Sequence, residues 1–148
     1  KCYFYNEDCL ASMKRMQEKG FKVDLVLSSP PYNTGRPSNS KRSIENLESR
    51  YDIHLDDMTD EEYAKWITDI FNNFDKILNE NGVILWNVSY GNEKPNSMWF
   101  SLLSLLQNTN FMIAEMITWK KKSALPNNVS HNKLTRIIEP VFVICHLT

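Results

Sequence analysis

The apolar positions of the chain fall into segments of contrasting rhythm. Val23 to Leu27 and Val83 to Val88 are near-continuous apolar runs, the pattern of strands covered on both faces of a parallel sheet. Between them, Tyr63, Trp66, Ile67, Ile70, Phe71, Phe74, Ile77 and Leu78 recur at steps of three and four, which predicts an amphipathic helix over 59–81. Thr59 and Glu62 have the spacing of a capping box at its start, and Asn81-Gly82 supplies a stop, because glycine tolerates the left-handed conformation at a helix end. Upstream, the aromatic stretch Cys2 to Tyr5 predicts a strand. Leu10, Met13 and Met16 predict a helix over 9–19, ending at Gly20, that crosses between two parallel strands. Downstream, Met98 to Leu106 reads as a short helix, and Phe111 to Trp119 and Val141 to Cys145 read as strands. Pro140 cannot donate to a ladder and belongs at a strand start or an edge. Together these elements predict an α/β fold with parallel strands, helical crossovers and an antiparallel hairpin at the end.

The first apolar run stops in Ser28-Ser29-Pro30-Pro31-Tyr32-Asn33. Two successive prolines hold φ near about −65°, lack N–H groups and push Ser29 and Pro30 into extended backbone. Such a turn offers acceptors, namely the Ser29 hydroxyl and the carbonyls of Ser29 and Pro30, beside the Tyr32 ring as a flat stacking surface. Acceptors beside an aromatic plate suit a planar ligand bearing an amino group. In open α/β sheets ligands bind beyond the carboxyl ends of the strands, where this turn falls.

Composition narrows the picture. With 148 residues, of which 42% are hydrophobic, the chain can bury one core in one domain. No apolar run approaches a membrane span and the start has no signal-peptide organisation, so a soluble cytoplasmic protein is expected. Cys2, Cys9 and Cys145 lack CxxC spacing, and His54, His131 and His146 lack ligand spacing, so no metal site is expected. The net charge is −1, yet Arg36, Lys41 and Arg42 form an acid-free cluster, and Lys120, Lys121, Lys122, Lys133 and Arg136 form another. Either is a candidate for contact with phosphates, or an ordinary solvated loop. The polar stretch 34–55 is long for a structureless connection and predicts a mobile loop.

Ser29-Pro30-Pro31-Tyr32 after an apolar strand resembles the catalytic motif of the amino-group DNA methyltransferases. Tyr5 to Leu10, Gly82 to Asn87, Trp119-Lys120 and Arg136 to Cys145 resemble the same family's catalytic half in its usual order. The likeness is to the permuted class, in which the catalytic region precedes the cofactor-binding region. It implies a partial Rossmann-like sheet and a catalytic role for Ser29, Pro30, Pro31 and Tyr32. It further implies contacts of Asp8 and Ser28 with S-adenosylmethionine, although Asp8 is equally explained as the N-cap of the first helix. Double-stranded DNA with a flipped target base is the implied partner, with a restriction-modification system as the setting. The chain has only Gly20, Gly35, Gly82 and Gly91, and none forms the Phe-x-Gly-x-Gly pattern that this family uses for the cofactor. The expectation is therefore a catalytic half, inactive alone, that works with a missing C-terminal half or as a homodimer. Within the family Ser-Pro-Pro-Tyr is associated mainly with N4 of cytosine, and a hydroxyl can donate to the neighbouring ring nitrogen as well as accept from the amine. Adenine N6, a protein or RNA amino group, and a non-catalytic DNA-binding fragment are the alternatives.

Overall fold

A computed structural model of the protein describes residues 1–33, 58–88, 95–123 and 137–147. The described elements are α1 (Cys9–Glu18), β1 (Val23–Ser28), α2 (Asp60–Ile77), β2 (Leu78–Asn87), α3 (Pro95–Asn108), β3 (Phe111–Lys120) and β4 (Ile138–His146). The strands form one sheet in the order β1-β2-β4-β3. β1 and β2 are parallel, and β4 is antiparallel to both of its neighbours. The expected antiparallel pair at the end of the sheet is thus present, with β4 inserted between β2 and β3. The carboxyl ends of β1, β2 and β3 and the start of β4 consequently share one rim.

α2 is the crossover that joins β1 to β2. Its capping box forms as expected, with the Thr59 hydroxyl accepting from Glu62 N–H and the Glu62 carboxylate accepting from Thr59 N–H. Tyr63, Ile67, Ile70, Phe71, Phe74 and Ile77 are buried along it. They pack with Ile84, Trp86, Phe111, Phe142 and Ile144 on one face of the sheet and with Met98, Leu102 and Leu105 of α3. Phe71 lies at the centre, with its ring edge-on to Phe74, Trp86 and Phe111.

Several expectations are corrected. The helix ends at Ile77, and Leu78 to Asn81 are strand, because Leu78 pairs with Val23 on β1 in extended backbone. Tertiary pairing there overrides the helical spacing. Gly82 is therefore no helix stop; a Cβ on it would lie 2.6 Å from Leu78 Cγ, and this close approach explains the glycine. The left-handed glycine is Gly20, with φ of 66°. It ends α1 in a Schellman arrangement, Phe21 N–H donating to Met16 C=O and Gly20 N–H to Gln17 C=O.

Cys2 to Tyr5 form no strand and are exposed, so α1 is not a crossover between parallel strands. A short aromatic segment holds as a strand only against a paired neighbour and a covered face. β1 is also not covered on both faces: Leu25 is 56% and Leu27 72% exposed. These two residues lie on the sheet face opposite α2, together with Val83, Leu85, Val141 and Val143. Pro140 sits inside β4, opposite Thr118 of β3. Its carbonyl accepts from Val88 N–H just past the last β2 pair, Asn87 with Val141, so the one ladder bond its missing N–H forgoes, back to Val88 C=O, falls at the very end of the β2 ladder.

Candidate active site

Ser29 to Asn33 leave the carboxyl end of β1 and are anchored from three directions. Tyr63 of α2 donates its hydroxyl to the Pro31 carbonyl at 2.7 Å, so that carbonyl is engaged in holding the turn and is not among the acceptors expected of it, the Ser29 hydroxyl and the carbonyls of Ser29 and Pro30. Asn33 is 1% exposed and has φ of 51°, a left-handed conformation that asparagine tolerates better than most residues. Its amide donates to Met58 C=O at 3.0 Å and to Ser97 Oγ at 3.2 Å, and its Oδ1 accepts from Met58 N–H at 2.8 Å. Ser97 in turn donates to Asp60 at the start of α2. One buried side chain therefore ties the end of the turn to the starts of α2 and α3.

The open end of the turn is held by β2. Tyr32 Oη lies 2.5 Å from Ser29 Oγ and donates to Asn87 Oδ1 at 3.1 Å, while Ser29 Oγ is 3.4 Å from the same oxygen. Asn87 Nδ2 donates to Pro140 C=O at 3.1 Å, so a chain of polar contacts crosses β1, β2 and β4 at the rim. Ser29 is exposed, Pro30 buried and Tyr32 half-buried. This arrangement presents an oxygen to solvent on a turn that cannot relax, because its backbone is fixed by proline and its side chains by neighbouring strands.

The remaining candidates divide. Asp8 caps α1, its Oδ1 accepting from Leu10 N–H at 2.8 Å. Ser28 ends β1, half-buried and paired with Trp86 on the covered side of the sheet. Lys120 ends β3 on the same rim as the turn, and it and Lys122 are exposed. Lys121 is instead ion-paired with Glu139 of β4. Arg36, Lys41, Arg42, Lys133 and Arg136, and the expected loop 34–55, lie outside the described residues. Among the described residues no group of three or more His, Cys, Asp and Glu could hold a metal ion. No described helix is long and apolar enough to cross a membrane.

Residues that the sequence reading left without a role are Asn33, Tyr63 and Asn87. Asn87 carries a detectable signal, a polar side chain closing an apolar strand at the level of the turn. Tyr63 has none, since its helical spacing marks it only as core.

A family model described as DNA methylase matches residues 23–145. The chain belongs to the N6/N4 DNA methylase family. Within it, the chain is 31% identical over 84 residues to the type II methyltransferase M.BglII from Bacillus subtilis, a match covering 57% of this chain and 18% of the relative. Among solved structures the methylase chain resembles the PvuII DNA methyltransferase, described as cytosine-N4-specific, with a TM-score of 0.62 and 18% identity over 90% of this chain and 46% of that one. It also resembles M1.HpyAVI, solved in complex with SAM, with a TM-score of 0.58 and 19% identity over 96% of this chain and 52% of that one. At these identities the two structures establish the fold, a partial Rossmann-like methyltransferase sheet. The chain spans about half the length of these solved relatives.

Proposed function

We propose that this methylase segment is the catalytic half of an enzyme that methylates an exocyclic amino group of a DNA base, N4 of cytosine. The observation that carries the reading is the Ser29-to-Tyr32 turn, held rigid at the carboxyl rim with its serine oxygen presented outward. An exocyclic amino nitrogen is a poor nucleophile because its lone pair is delocalised into the ring. When the Ser29 hydroxyl oxygen and the Pro30 carbonyl each accept one amino hydrogen, the nitrogen becomes more tetrahedral and its lone pair leaves the ring plane. These acceptors matter most as charge develops on that nitrogen, which is where a fixed dipole accelerates a reaction. The amino group is out of reach inside a duplex, so the base is flipped onto the turn and stacked against Tyr32. No covalent enzyme intermediate is needed, and none of the cysteines takes part.

Bound S-adenosylmethionine would supply the electrophilic methyl group. The described residues fit it only in part: Asp8 and Ser28 could touch it, but Asp8 is engaged as a helix cap and no glycine-rich turn accompanies them. Its main site is assigned to a second half that packs on the uncovered face carrying Leu25 and Leu27. Lys120 and Lys122, exposed at the end of β3 on the same rim but at the opposite edge of the sheet from the turn, serve the DNA phosphates. The choice of cytosine rests on serine at the first position of the motif. Incubating the full-length protein with unmethylated DNA and S-adenosylmethionine, then digesting the DNA and identifying nucleosides by mass spectrometry, tests the reading. N4-methylcytosine is expected; N6-methyladenine alone would overturn the cytosine assignment, and no methylated nucleoside would overturn the enzyme.

A further inference from the structure

We infer that Asn87 is a positioning residue for the proposed transfer, acting by holding the Ser29 proton inward so that the serine oxygen faces the target amine as an acceptor only. The inference rests on the functional reading above and adds a residue outside the Ser-Pro-Pro-Tyr turn. It starts from Pro140, whose carbonyl can only accept. The 3.1 Å contact from Asn87 therefore fixes which end of the amide is nitrogen, and the amide oxygen must face Tyr32 and Ser29. That oxygen can only accept, so at least one hydroxyl must donate to it.

The Ser29 and Tyr32 oxygens are 2.5 Å apart, a separation that requires a proton between them. Each hydroxyl has one proton, so only two arrangements satisfy both conditions. In the first, Tyr32 donates to Asn87 across 3.1 Å and Ser29 donates to Tyr32. In the second, Tyr32 donates to Ser29 and Ser29 donates to Asn87 across 3.4 Å. The shorter contact favours the first. In both, the Ser29 proton is spent inside the cluster, and a lone pair is left pointing away from it.

A serine without this constraint can rotate its hydroxyl and present a proton to the incoming amino group, which is itself a donor. Such a donor-to-donor encounter opposes the polarisation that the chemistry needs. Asn87 prevents it from the neighbouring strand. The same geometry revises the expectation that the hydroxyl could donate to the ring nitrogen beside the amine, since its proton is already committed. The Tyr32 hydroxyl likewise has a part in the site beyond the stacking face of its ring.

The test uses the full-length protein, S-adenosylmethionine and unmethylated double-stranded DNA. Single-turnover methyl transfer, dissociation constants for cofactor and DNA, and thermal melting are measured for wild type, Asn87→Leu, Asn87→Asp and Tyr32→Phe. Leucine removes the acceptor at similar size, and a fall in rate on the order of tenfold to a hundredfold is expected, the range that follows from misplacing a reacting group by about 1 Å. Both dissociation constants should stay within about twofold of wild type, because the effect lies in the transferring state. Aspartate keeps an oxygen facing the hydroxyls, and when protonated on its other oxygen it also donates to Pro140 C=O as the amide does, so it should recover part of the lost rate. Tyr32→Phe should lose less than Asn87→Leu, because Ser29 can still turn to Asn87. A wild-type rate in Asn87→Leu, a loss that follows melting or DNA affinity, or no recovery with aspartate would overturn the inference. Absence of transfer by the wild type would overturn the methyltransferase reading itself, and this role with it.

Discussion

Replacing Asn33 separates the two physical reasons for its place at the end of the Ser-Pro-Pro-Tyr turn. Its side chain makes three hydrogen bonds, to Met58 N–H, Met58 C=O and Ser97 Oγ, at a position 1% exposed. At about 1 kcal/mol net for each bond, their loss amounts to about 3 kcal/mol. Its φ of 51° adds a backbone requirement, because left-handed backbone costs an ordinary side chain roughly 1–2 kcal/mol. Asn33→Ala meets both penalties and should lose about 4 kcal/mol. Asn33→Gly loses the same bonds without the strain, and its extra unfolded-state freedom offsets part of that gain, leaving a loss of about 3 kcal/mol. Glycine should thus be the more stable of the two variants, the reverse of the order in helices and strands, where alanine is better by roughly 0.5–1 kcal/mol. Urea unfolding followed by circular dichroism, with midpoints compared at a shared slope, measures the order. An alanine variant as stable as the glycine variant, or both within about 0.5 kcal/mol of wild type, would refute the structural role given to Asn33.

Two further outcomes are expected. The Arg15 guanidinium, with Ser12 second, holds the Glu7 carboxyl down at about 2 from 4.5; a depressed carboxyl stabilises the fold above its unfolded value, so the advantage of wild type over Glu7→Gln should be full above pH 4.5 and vanish as pH falls to about 2 in thermal melts across that range. On DNA, Lys120→Ala and Lys122→Ala should each flatten the slope of log affinity against log salt by about 0.9, whereas Lys121→Ala should change it by clearly less than about 0.9, because its charge already faces Glu139; unchanged slopes in Lys120→Ala and Lys122→Ala would return both to ordinary surface charge.

The sequence made the local parts of this fold legible and hid the parts decided by neighbours. α2 could be read from its spacing and capping box, both of which are contained within the helix. Its end could not, because Leu78 becomes strand through pairing with Val23, more than fifty residues away. Cys2 to Tyr5 have the composition of a strand, but composition does not supply a partner strand, and the segment lies exposed. The shape of the Ser-Pro-Pro-Tyr turn was legible for a different reason: the proline pair constrains its own backbone, so its shape travels with four residues. What holds that turn was not legible. Tyr63 and Asn33 look like core and loop until the fold brings the first to Pro31 and the second to Met58 and Ser97. The basic cluster shows the same limit, since only the paired strands reveal that Lys121 is answered by Glu139.

The most direct test of the proposed chemistry is Ser29→Ala in the full-length protein. The substitution removes one acceptor for the target amine and leaves the Pro30 carbonyl in place, so the change should fall on the transferring state and not on ligand binding. Single-turnover methyl transfer to unmethylated DNA, measured beside the dissociation constant for S-adenosylmethionine, separates the two. The expected result is a rate lowered on the order of a hundredfold or more, the scale seen when one fixed polar contact to a developing charge is removed, with cofactor affinity within about twofold of wild type. Transfer at the wild-type rate in Ser29→Ala would contradict the assignment of the turn as the catalytic site.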